Sequence, residues 1–151
     1  MSSPVTFWRE FLDQKGLDPG LRYLECTMFG EPEHADRLLD LVLAGKKRAT
    51  TSSLRYYQVT GGRPPQPGDY SIVTNGAGKP RCVIQTRSVT RLSFSQMTYE
   101  ICRREGEDDD LATWKAGHKA YFEREGSRCG YAFSPDMPLL FEDFELVYVA
   151  G

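Results

Sequence analysis

Apolar side chains recur at helical spacing in several stretches of the chain, and alternating or continuous apolar runs occupy the stretches between them. Phe7, Trp8, Phe11 and Leu12 share one face of "SPVTFWREFLDQKG", where Ser3 can cap, Pro4 suits the first turn and Gly16 ends the helix. "RYLECTMF" alternates as a strand does. A second helix is predicted over "PEHADRLLDLVLAG", with Ala35, Leu38, Leu39 and Val42 on its apolar face and Gly45 just past its end. His34 falls in its first turn, at a surface position. "LRYYQV" reads as a short helical turn and "TGGRPPQPG" as a loop. "DYSIVTN" and "PRCVIQTRSVTRLSF" flank "GAGK" as two strands flank a hairpin turn. "SQMTYEICRREG" predicts a short helix. "DDDLATWKAGHKAYFEREG" predicts a longer one whose aspartates suit the positive N-terminal end. Its apolar stripe holds Trp114, Tyr121 and Phe122 together with His118, which reads as a packed histidine. "MPLLFEDFELVYV" reads as a closing strand pair. Strands interleaved with helices in this order predict a mixed α+β fold around a small barrel-like sheet. No repeat and no long linker divides the chain, so residues 1–151 are expected to form one domain.

With 151 residues, 40% hydrophobic and 12% aromatic, the chain can bury about two thirds of the surface it exposes when unfolded, which excludes a disordered segment. The start "MSSPVTFWREFLDQKG" has neither a basic n-region nor a continuous apolar stretch. The longest apolar run, "LLDLVLAG", is interrupted by Asp40 and is too short to cross a bilayer, so no membrane partner is expected. Cys26, Cys82, Cys102 and Cys129 form no CxxC pair, and there are only two histidines. That pattern suits free thiols in a reducing cytoplasm better than a zinc site.

Net charge changes the picture once it is located. From Leu41 to Arg104 there are eleven basic side chains against two acidic ones, so the middle carries about +9 and the flanks about −11. Such a segregation can focus the field toward an anionic ligand at the middle segment, or it can reflect basic strands that simply face solvent. Dinucleotide fingerprints, phosphate loops, nucleophile elbows and HExxH helices are all absent from the sequence. What remains is "LAGKKRATTSS", residues 43–53, which places two lysines, an arginine and four hydroxyl side chains after a helix end. A lysine buried among other cations there would lose its proton easily, and the free amine could activate a threonine hydroxyl against an amide. The same side chains would equally contact the phosphates of RNA.

Gly45-x-Lys47-x-x-Thr50, preceded by "HADRLLDLVLAG" and followed by "PPQPGDYSIVTNGAGKPRCVIQT", resembles the ASCH domain, a branch of the PUA-like superfamily. "ICRREGEDDDLATWKAGHKAYF" and "SPDMPLLFEDFELVYV" extend the resemblance, which runs from about Arg22 to Val149. It implies a PUA-like β-barrel with peripheral helices, and marks residues 1–21 as a helical extension found in longer members. Small members hydrolyse N4-acylated cytidines with a lysine, a threonine and a glutamate. Carried over, these are Lys47 as base, Thr50 as nucleophile and Glu105 as the group that orients the lysine or protonates the leaving nitrogen. Glu107, two residues on, competes with Glu105 for that place. Arg48 stands where a small polar residue is common. Arg48, Tyr56 and Asn75 are candidates for base or ribose recognition, and Trp114 and Ser134 for the pocket border. The resemblance thus implies an amidohydrolase for acylcytosine nucleosides or nucleotides that needs no metal or other cofactor. Other members bring two alternatives, an RNA-binding module and a metal-dependent single-strand ribonuclease.

Overall fold

In the computed structural model, which describes residues 3–150, the Ser3 hydroxyl accepts from the Thr6 amide and opens helix α1 (Pro4–Lys15). Gly16 closes that helix in the left-handed conformation. Helix α2 (Pro32–Leu43) follows, then the short α3 (Leu54–Thr60) and α4 (Tyr99–Cys102), and finally α5 (Leu111–Cys129). The Asp110 carboxylate caps α5 by accepting from the Thr113 amide, which explains one of the three aspartates as helix-start chemistry.

Five strands form one sheet among the described residues: β1 (Cys26–Thr27), β2 (Ala49–Ser53), β3 (Tyr70–Thr74), β4 (Pro80–Ser93) and β5 (Pro138–Val149). They lie in the order β1-β3-β4-β5-β2, with β1 parallel to β3 and every other pair antiparallel. The α+β expectation therefore holds. Two details differ from the sequence reading. "RYLECTMF" contributes only Cys26 and Thr27 to the sheet; its flanks are tied to β3 by isolated bonds, Leu24 N to Tyr70 O and Ile72 N to Glu25 O. "MPLLFEDFELVYV" is one strand rather than two. Its Glu142 and Asp143 break the apolar run in sequence but not the ladder, which shifts register on β4 between Thr86 and Ser88.

Side-chain alternation divides the core. Ile72 and Val83 face α1 and pack on Phe7, Trp8 and Phe11. Their neighbours Val73 and Ile84 face the other way, onto Leu38, Leu39 and Val42 of α2. At the far side of the sheet, Ala49, Leu139 and Phe141 pack on Trp114 and Phe122 of α5. The edge strands β1 and β2 are not hydrogen-bonded to each other, so the barrel stays open along one seam. All four cysteines are free thiols, and no helix among the described residues is long and apolar enough to cross a membrane.

Candidate active site

The open seam holds a cavity of about 550 Å³, lined by Thr27 on one edge strand and by Thr50, Thr51, Ser52 and Ser53 on the other. Because β2 is an edge, side chains from both of its faces border the space.

Lys47 forms the floor. α2 ends at Leu43, Gly45 adopts φ 77°, and the amides of Lys46 and Lys47 both donate to Leu41 O. This tight exit turns the Lys47 side chain inward, where it is only 2% exposed. Its Nζ donates to Ala49 O at 2.8 Å, to Glu105 Oε1 at 3.4 Å and to Glu107 Oε2 at 2.5 Å. The neighbours of Lys47 are thus carboxylates, not the cations expected from its sequence context: Lys46 and Arg48 point to solvent.

Glu105 ends a 3-10 turn (Arg103–Glu105), and Gly106 follows at φ 72°. A Cβ at position 106 would lie 2.3 Å from Lys46 O, so only glycine lets this turn close on the Lys46–Lys47 backbone. Arg48 N donates to Arg104 O and secures the same contact. Glu105 is 1% exposed, and four groups surround its carboxylate. Lys47 and His118 approach Oε1 at 3.4 and 3.5 Å; the Thr51 hydroxyl and the Trp114 indole N–H each donate to Oε2 at 2.7 Å. Burial alone would push this carboxyl up, but Lys47, His118 and Thr51 together hold it well below the usual range. Burial pushes Glu107 up, and its contact with Lys47 only partly offsets this.

His118 stacks on Trp114 at 3.9 Å between ring centroids, with Nδ1 2.9 Å from Trp114 O and Nε2 facing Glu105. Both nitrogens meet acceptors, an arrangement that the doubly protonated ring satisfies. Burial opposes its charge, yet Glu105, with Glu107 and the Trp114 carbonyl, raises its pKa above the ordinary value. His118 is therefore packed, as expected, and also an ionic partner of the site.

On the other face of β2, Thr50 stands opposite Glu142 in the β2–β5 ladder. The Thr50 hydroxyl makes no hydrogen bond to Lys47 or Glu105 among the described residues, although it borders the same cavity. Tyr56 also lines the cavity, from α3. The remaining recognition candidates do not. Arg48 is exposed on a separate shallow surface with Arg103 and Arg104, because it is directed away from its inward neighbour Lys47. Asn75 is consumed by the hairpin, its Oδ1 accepting from the amides of Ala77 and Lys79. Trp114 is fully buried beneath Glu105 rather than bordering the space, and Ser134 lies in the turn before β5, its carbonyl accepting from Met137 N.

Among the described residues, the basic middle segment does not gather around the cavity either. Seven acidic side chains line the cavity against four lysines or arginines, and Lys47 is the one contributor from the basic middle segment. The others lie elsewhere, several held by local acids: Arg63 by Asp69, Arg87 by Glu145 and Arg104 by Asp143. No group of three or more His, Cys, Asp or Glu side chains converges as a metal site among the described residues.

The sequence model for the ASCH domain matches residues 25–148. The crystal structure of protein EF3133 from Enterococcus faecalis V583 superposes with a TM-score of 0.86 at 32% identity, covering 95% of this chain and 86% of that one. An ASCH domain from Lactobacillus crispatus JV V101 gives 0.81 at 33% identity and 92% coverage of each chain. Hypothetical protein PH0355, at 16% identity and a TM-score of 0.52, shares the fold alone; it covers 82% of this chain and 97% of its own. A search of curated proteins gave no match.

Proposed function

The chain belongs to the ASCH domain family, and on that premise we propose that it is an amidohydrolase that removes acyl groups from N4-acylcytosine nucleosides or nucleotides, with Lys47, Thr50 and Glu105 at its centre. The observation that carries this reading is a buried lysine on the cavity floor, locked to a buried glutamate, in a cavity that the Thr50 hydroxyl also borders. Glu105 acts as the positioning group: with four donors around it, the carboxylate fixes the Lys47 ammonium rather than exchanging protons itself. Glu107 lies on Nζ, and burial favours its protonated form. A proton moved from Nζ to Glu107 leaves the free amine that takes the Thr50 hydroxyl proton as oxygen attacks the acyl carbon. Tyr56 offers an aromatic face at the cavity wall for a pyrimidine ring.

The acidic lining favours a small ligand over a long polyanion. The test is incubation of the purified protein with N4-acetylcytidine, with and without EDTA, following cytidine release by chromatography. Cytidine is expected in both arms. Activity abolished by chelation would turn the reading to a metal-dependent single-strand ribonuclease. Tight RNA binding that falls with salt by roughly −0.7 in log–log slope per phosphate, without hydrolysis of any acylcytosine, would make this an RNA-binding module.

A further inference from the structure

Glu142 is a buried acid that the Lys47 cluster leaves unused. It sits on β5 directly opposite Thr50 on β2. Such antiparallel partners project to the same face with Cβ atoms about 4.5–5.5 Å apart. The side chain is 8% exposed and lines the same cavity. Its Oε2 accepts from the Thr86 hydroxyl at 2.6 Å. Among the described residues no hydrogen bond reaches its Oε1, and that oxygen is not sealed from solvent. No lysine, arginine or histidine lies within ion-pair distance among the described residues. The titratable groups that face it are Glu25, Asp69, Tyr57 and, more remotely, Lys47. Burial pushes the Glu142 carboxyl up to about 7; Thr86 and Lys47 pull it down, while Glu25 and Asp69 add to the rise.

Cleaving an acylcytosine requires a proton for the exocyclic nitrogen, which is a poor leaving group as an anion. Glu105 cannot supply it, because its carboxylate is surrounded by four donors and held ionised. Glu107 is engaged by Lys47. We propose that Glu142 is the acid that protonates the departing exocyclic nitrogen after Thr50 attacks, and the base that then activates the hydrolytic water. This rests on the amidohydrolase reading above. In the first half-reaction the Thr50 oxygen–acyl carbon bond forms, the hydroxyl proton passes to the Lys47 amine, the carbon–nitrogen bond breaks, and the nitrogen takes the Glu142 proton. Cytidine leaves neutral. In the second, Glu142 carboxylate takes a proton from water, hydroxide adds to the acyl carbon, the carboxylic acid departs, and Thr50 regains its proton from Lys47.

The test compares two acyl donors in the wild type and in Glu142→Gln, an isostere that keeps an acceptor for Thr86. p-Nitrophenyl acetate releases p-nitrophenolate, which needs no proton. In the variant, single-turnover cleavage of N4-acetylcytidine should fall about a hundredfold or more, while the p-nitrophenolate burst keeps its rate. In the wild type, single-turnover cleavage of N4-acetylcytidine should decline as the pH rises through about 7, where Glu142 loses its proton, and the ester burst should not. That limb decides the matter even if the variant folds poorly. Equal losses on both donors, an unimpaired variant, or a wild-type amide rate with no decline would each overturn the role of Glu142 while leaving the amidohydrolase intact. A wild type that cleaves no acylcytosine would instead overturn the function itself.

Discussion

Thr50 and Thr51 are adjacent and chemically identical, yet they project to opposite faces of β2 and the proposed mechanism gives them different work, and replacing each with valine separates the two. The Thr51 hydroxyl donates to the buried Glu105 carboxylate at 2.7 Å. A hydrogen bond to a charged group contributes about 1.5–3 kcal/mol, and its removal leaves the carboxylate short of one donor. Taking about 2 kcal/mol, and about 2–4 °C per kcal/mol for a chain of this size, Thr51→Val should lower Tm by about 4–8 °C. Thr50 has no comparable bond among the described residues, and valine suits a strand, so Thr50→Val should stay within about 0.5 kcal/mol of the wild type. Kinetics should invert the order. Thr50→Val should lose a hundredfold or more in turnover of N4-acetylcytidine, whereas Thr51→Val should keep its rate within about tenfold. Thermal melts by circular dichroism and cytidine release on the same preparations give both quantities. If the two variants melt together, the Thr51–Glu105 bond contributes nothing. If Thr51→Val is the inactive one, the nucleophile is on the other face of β2 and the proposed mechanism is wrong.

Lys47→Ala should remove turnover and also destabilise the protein by about 3–5 kcal/mol, because it strips a buried carboxylate of its ion partner; a melt within a degree or two of the wild type would contradict the burial of this pair. Glu105 has a folded pKa held below its unfolded value of 4.5, so the stability it supplies is complete above that value and is lost as the pH falls through the depressed folded one. Glu105→Gln should therefore flatten the acid side of the Tm–pH curve, and an unchanged acid limb would remove Glu105 as its source.

Local chemistry made most elements readable in the sequence. Ser3, Pro4 and Gly16 bound α1, Asp110 opens α5, and the "GAGK" turn joins β3 to β4. Long-range pairing set what was misread. Glu142 and Asp143 look like a break in an apolar run, but one faces the cavity and the other meets Arg104 across 39 residues. The site divides in the same way. Lys47 and Glu105 followed from the family resemblance, and the structure joins them. His118 was legible only as a member of a helical stripe, since nothing near it in sequence shows that its ring meets Glu105. Thr51 meets the same carboxylate across 54 residues. The basic middle segment misled because its charges are spread over both sheet faces and strand ends, and folding sends Arg48, Arg87 and Arg91 outward to solvent.

The contact at Gly106 bears on any attempt to move this chemistry to another scaffold. The separation of Lys47 from its two glutamates is set by one main chain resting on another, with no Cβ between them. Side-chain repacking cannot reproduce such a spacing, so a lysine and a glutamate grafted singly onto a foreign barrel would sit too far apart or in the wrong orientation. The transferable unit is a pair of backbone segments, the helix exit through Gly45 and the turn through Gly106, moved together as one rigid fragment.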